Sequence, residues 1–175
     1  MSLPQILKRA QTHVQRGQID AALKLYKGLL LSFPNHPQVN TELGVLSLHH
    51  RPPEEAIKPL EKAVAALPLA FELWVCLLVA HQKCGNLHRA RAVLAEMRQK
   101  GFAEKELQGF EQELSEPPPE RLEAIEKLIA QQNYVSAEIA ARLLIDDYPD
   151  HPKGLQLLVA VLQESGKYEE SRVHE

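Results

Sequence analysis

Apolar residues recur at spacings of three and four along nearly the whole chain, and glycine or proline interrupts them at near-regular intervals. That spacing puts one apolar stripe on each of a series of amphipathic helices. The opening helix, QILKRAQTHVQR, stops at Gly17, a residue suited to the tight turn between antiparallel helices. The return helix carries Ile19, Ala22, Leu23, Tyr26, Leu29, Leu30 and Phe33 on one face, and Pro34 ends it.

The same design returns with a period of 34: Pro34 and Pro68 lie one period apart, and Ala22, Ala56 and Ala90 repeat the interval twice. A fixed period of this length predicts stacked helix–turn–helix units, none of which buries its apolar face alone. In the second unit Arg51-Pro52-Pro53 stands where a glycine turn is expected, with Pro53 placed as the first residue of the return helix. Pro59 lies inside that helix, where a local bend without loss of the helix is expected. The third unit has Trp74, Leu77, Gly85, Leu87, Ala90, Leu94 and Met97, with Gly101-Phe102 replacing the terminal proline. A short helix with Leu107, Phe110 and Leu114 on one stripe then reads as a cap.

Pro117-Pro118-Pro119 predicts a stiff extended break that excludes a helix. Beyond it Asn35-His36-Pro37 recurs as Asp150-His151-Pro152, and the period resumes out of register. A fourth unit carries Ile125, Leu128, Tyr134, Ala137, Leu144, Tyr148 and Pro149. In the fifth, Leu155, Leu158 and Leu162 lead to a turn expected at Gly166, and Lys167–Glu175 begin a return helix whose stripe is incomplete. This reads as a chain that continues past Glu175. The expected architecture is all-α, a right-handed α-solenoid of about five hairpins. Residues 1–114 would hold three units plus the cap, 115–119 a proline-rich linker, and 120–175 the last two units.

Composition changes this picture little. The chain has 175 residues, 45% of them apolar and 25% charged, and a formal net charge of -3, which describes an ordinary folded domain. Cys76 and Cys84 are eight residues apart in one predicted helix, roughly 12 Å and too far for a disulfide. The longest apolar run, Leu73–Ala80, is far below a membrane span, and the N-terminus lacks an apolar signal core. A cytoplasmic location is expected. Charge is uneven: Lys8, Arg9, Arg16, Lys24 and Lys27 face one acid, Asp20, in residues 1–27, whereas residues 103–126 hold eight Glu. Solvated helix faces explain this, and a polar module whose basic end meets an acidic partner, or another copy's acidic middle, is the sharper alternative. Nucleic acid is disfavoured because no aromatics interleave with the basic residues.

No phosphate-binding glycine loop or nucleophile elbow occurs. His81, Cys84 and His88 straddle the turn at Gly85 without a second ligand pair, so no metal site is expected. His36 and His151 recur in equivalent turns, where packing explains them. Paired carboxylates lie on solvated faces. No catalytic residue and no cofactor is assigned.

The period and its marks resemble the tetratricopeptide repeat family. Trp74 and Leu77, Leu43 and Gly44, the alanines at 22, 56, 90 and 137, Tyr26, and the prolines at 34, 68 and 149 match parts of its pattern. The resemblance implies a non-catalytic module that binds a partner protein or peptide in a concave groove lined by the first helix of each pair. Here that groove would present Leu7, Gln11, Thr41, Val45, Leu48, His49, Val75, Val79, Gln82 and Lys83. The second stack would add Leu122, Glu126, Gln156 and Gln163. The family's chaperone-binding branch clamps a terminal carboxylate with Lys, Asn and Arg, whereas the matching positions here are Leu7, Gln11, Glu42, Glu72 and Cys76. The mixed apolar and amide groove suits an apolar helix or extended segment. QILKRAQTHVQRGQIDAALKLYKGLLLSFPNHP and PPPERLEAIEKLIAQQNYVSAEIAARLLIDDYPDHP are also similar to repeat regions of bacterial glycosyltransferases and sulfotransferases related to O-linked N-acetylglucosamine transferases. That resemblance implies a regulatory or substrate-presenting region with its transferase beyond Glu175. A third reading is self-assembly into a homo-oligomer through the exposed fifth unit.

Overall fold

The computed structural model describes the backbone of residues 2–173 and the side chains of residues 2–166. Ten helices and no strand occur among them. They are α1 (Leu3–Gln15), α2 (Ile19–Ser32), α3 (Pro37–His50), α4 (Glu54–Ala66), α5 (Phe71–Lys83), α6 (Leu87–Gln99), α7 (Glu104–Ser115), α8 (Pro119–Ala130), α9 (Tyr134–Asp147) and α10 (Pro152–Val173). The chain forms two compact units, Met1–Leu107 and Gln108–Glu175.

In the first unit α1–α2, α3–α4 and α5–α6 are antiparallel hairpins stacked in sequence order. Two turns use the expected glycine. After α1, Gly17 (φ 69°) lets its own N–H reach Val14 O at 2.9 Å and the Gln18 N–H reach His13 O at 2.8 Å. After α5, Gly85 (φ 70°) repeats the arrangement, with Asn86 N–H on His81 O at 2.9 Å. These paired bonds satisfy carbonyls that a helix end otherwise leaves bare. The middle hairpin differs: Arg51 is extended (φ -132°, ψ 169°), and Pro53 precedes α4 as its cap rather than serving as its first residue. The helix α4 runs unbroken through Pro59.

The turns between hairpins are near-copies. Phe33, Leu67 and Tyr148 each precede a proline and adopt φ -132°, -128° and -134° with ψ 65°, 66° and 72°. Proline disfavours the helical conformation in the residue before it, and each return helix ends there. A side chain six residues after the first two prolines then closes the turn. Asn40 Nδ2 donates to Pro34 O at 3.2 Å, and Trp74 Nε1 donates to Pro68 O at 3.0 Å. Amide and indole thus do one job, one period apart.

The periodic alanines Ala22, Ala56 and Ala90 are fully buried, where paired helices meet. Gly44 carries the tightest approach: a Cβ there would lie 2.7 Å from Leu60 Cγ and 3.2 Å from Leu60 N. At the end of α6, Gly101 (φ 85°) replaces the missing proline, and Phe102 packs edge-on against Phe71 at 5.4 Å.

In the second unit α8 and α9 form a hairpin and α10 packs against both. Its core holds Ile125, Ala137, Ala141, Leu144, Tyr148 and Val161. The proline run is less disruptive than expected: Pro118 is extended (φ -54°, ψ 133°), but Pro119 already opens α8. This is the first helical position, where the missing N–H costs nothing. Gln132 takes the turn conformation (φ 57°) that glycine supplies in the first unit. The turn expected at Gly166 is absent, because α10 continues through it to Val173. A lone glycine costs a helix only about 1 kcal/mol, less than the hydrogen bonds a break would lose. His174 and Glu175, the end of the expected return helix, lie outside the described residues.

Candidate partner-binding groove

The first helices α1, α3 and α5 place the groove residues in rows one period apart: Leu7, Thr41 and Val75; Gln11, Val45 and Val79; His49 beside Lys83. A contact of 3.5 Å between Gln11 Nε2 and Glu42 Oε1 links α1 to α3. Not all ten candidates can meet a ligand. Leu7 and Leu48 are buried in the core, so they support the face rather than present it. Gln11, Thr41, Val45, Val75, Val79 and Gln82 are half-buried, and His49 and Lys83 are exposed. The Thr41 hydroxyl oxygen is buried and has no hydrogen-bond partner. The ring of His49 is held by its own helix, with Nδ1 2.8 Å from Val45 O. In the second unit Leu122 is half-buried, whereas Glu126 and Gln156 are exposed.

Burial is the main cause of the raised pKa values in the first unit. The Tyr26 phenol is pushed up to about 12, by burial first and by the nearby Glu42 carboxylate second. Burial raises the Cys76 and Cys84 thiols, with Glu72 and Glu54 adding to the effect, so neither is primed as a thiolate. Both cysteines are free. Among the described residues no group of three His, Cys, Asp or Glu is arranged to hold a metal. No helix among them is long and apolar enough to cross a membrane.

His81 is the anomaly. It is buried and neither ring nitrogen has a hydrogen-bond partner. Burial lowers its pKa, Arg89 lowers it further, and Glu61 opposes them. A histidine whose folded pKa is depressed binds fewer protons folded than unfolded, so its effect on stability is felt as pH falls below about 6.5. Wild-type protein should therefore lose stability between pH 7.5 and 5.5. His81→Leu should raise stability at pH 7.5 by roughly 1 kcal/mol, by removing unpartnered buried polar atoms, and should flatten the profile. Urea denaturation at both pH values checks this, and an unchanged slope in the variant would assign the pH dependence to other groups.

Histidines outside the groove carry a role that the sequence reading missed. His36 Nδ1 accepts from Val39 N–H at 3.4 Å, and His151 Nδ1 accepts from Gly154 N–H at 3.1 Å. Each caps the helix that follows. The recurrence at an identical place before proline was the available signal. Asn86 and Asn133 cap α6 and α9 in the same way.

Periodic turns, small residues at close helix contacts, and rows of first-helix side chains meet in one description. Residues 7–71 match the family model for the tetratricopeptide repeat. These residues belong to the tetratricopeptide repeat family. The repeat-bearing chain is similar in fold to the solved MamA MSR-1 C2 structure, with 14% identity over 96% of this chain and 79% of that one and a TM-score of 0.56. A second MamA crystal structure is 17% identical over 94% of this chain and 83% of its own, with a TM-score of 0.52. At these identities the likeness is one of fold. No curated protein matches the chain.

Proposed function

We propose that this chain is a non-catalytic protein-interaction scaffold that holds a partner polypeptide on the faces of α1, α3 and α5. The observation that carries the reading is the row of half-buried Gln11, Val45 and Val79, one per repeat, flanked by Thr41, Gln82 and exposed His49. Alternating apolar and hydrogen-bonding positions suit an apolar helix or an extended segment whose backbone the amides fix. Half-buried side chains are already partly ordered, so a ligand loses less entropy on meeting them.

A triple substitution tests this. Gln11→Ala, Thr41→Ala and His49→Ala together remove a long 3.5 Å contact, an unpartnered hydroxyl, and an exposed imidazole bonded only within its own helix, to Val45 O. Helicity and melting should therefore stay close to wild type, while capture of a partner on immobilised protein should fall at least about tenfold, some 1.4 kcal/mol. Undiminished capture by the folded triple variant would exclude this face.

A further inference from the structure

A cavity lies on a different surface, the outer groove between α1 and α2. It has a volume of about 640 Å³ and a floor built from Ile6, Leu25 and Leu29, with Arg9, His13 and Lys24 around it. None of its lining residues is acidic. The repeat shows what such a groove takes. One and two periods on, Ile6 becomes Asn40 and Trp74, Arg9 becomes Leu43 and Leu77, and His13 becomes Ser47 and His81, and all six of those residues are buried. What covers them is the second helix of the preceding repeat: α2 packs on α3, and α4 packs on α5. In the third repeat the same groove is walled by Val64 and Ala65 of α4 and shrinks to about 270 Å³.

Charge follows a rule in both filled grooves. Lys27 of α2 meets Glu55 at 2.9 Å, and one period later Glu61 of α4 meets Arg89 at 3.7 Å. Covering helix and groove carry opposite signs, and the signs swap together. In the first repeat the position of Glu55 and Arg89 is Ala21, and the formal charges lining the groove are both positive: Arg9, at a buried leucine position, and Lys24.

We infer that the α1–α2 groove is a docking site for an amphipathic helix of a partner protein, with an apolar stripe flanked by carboxylates that face Arg9 and Lys24. It seats the partner helix as α2 and α4 seat on the repeats that follow them. This surface is separate from the groove of the proposed function, and either can fail alone.

The probe is a fluorescein-labelled, hydrocarbon-stapled peptide of about 16 residues, long enough to hold a helix. It has Leu at i, i+4, i+7 and i+11 and Glu on both sides of that stripe. A control peptide carries Lys at every Glu position. Two variants of the full chain test the site. Arg9→Glu with Lys24→Glu reverses exposed charges, and Gly28→Leu fills the groove at a helical position where an added Cβ meets nothing within 4 Å. Anisotropy should show saturable binding of the Glu peptide at least about tenfold tighter than the Lys peptide. That binding should be lost in both variants at unchanged melting temperature, and kept in the Gln11, Thr41 and His49 triple variant. Equal binding of the two peptides, no binding, or binding that survives both variants overturns the inference. A dimer in equilibrium sedimentation of the unliganded chain that Gly28→Leu abolishes would also overturn the assigned occupant, replacing the partner helix by a second copy.

Discussion

Gly44→Val destabilises the first unit by about 2–3 kcal/mol, whereas Gly28→Ala stabilises it by about 0.5–1 kcal/mol. Both glycines lie inside helices, so intrinsic propensity predicts a gain at either position. Packing separates them. A Cβ at 44 would stand 2.7 and 2.8 Å from Leu60 Cγ and Cδ2, and Leu60 is wholly buried. Retreat of that side chain would not suffice, because Leu60 N lies 3.2 Å from the same point. The axes of α3 and α4 must part, and the second methyl of valine enlarges the displacement. Urea denaturation followed by Trp74 emission reads the effect, since the sole tryptophan lies in this unit. A Gly44→Val variant as stable as Gly28→Ala would mean that the two helices separate freely.

The contrast between these glycines also marks where sequence reasoning stops. Period, turn glycines and terminal prolines were legible because each acts locally: Gly17 and Gly85 supply a positive φ, and Pro34 and Pro68 disfavour helix in the residue before them. The alanines at 22, 56 and 90 were legible because the close approach they permit recurs in every repeat. Gly166 misled for the complementary reason: a glycine permits a turn without requiring one, and α10 runs on. Gln132 hid a turn that only neighbouring structure enforces. The groove was half legible. Helical periodicity puts Leu7 and Leu48 on the same faces as Gln11 and Val45, and only three-dimensional packing shows that they turn inward. The outer groove of the first repeat was legible only as charge: Arg9 and Lys24 belonged to the basic end for which an acidic partner was the sharper alternative, and the buried equivalent Leu77 is what places Arg9 in a groove.

Trp74→Ala costs about 3–5 kcal/mol, within the range for emptying a buried aromatic site. Trp74 is almost wholly buried and unites two tasks. Its ring fills the space between α4, α5 and α6, where it borders Leu77 and Val93, and its Nε1 donates to Pro68 O at 3.0 Å. That carbonyl follows the end of α4 and takes the indole proton as its donor. Trp74→Phe keeps most of the volume and removes the donor, and should cost about 1–2 kcal/mol for the bare carbonyl and residual gap. At the equivalent position one period earlier, Asn40 makes the same bond to Pro34 O with far less volume. Lys62 Nζ donates to Pro34 O as well, at 2.8 Å, so Asn40→Ala leaves that carbonyl a donor and should cost no more than Trp74→Phe. Unfolding of all three variants followed by circular dichroism orders them. Equal losses from Trp74→Phe and Trp74→Ala would make the turn hydrogen bond, rather than packing, the main tie between repeats.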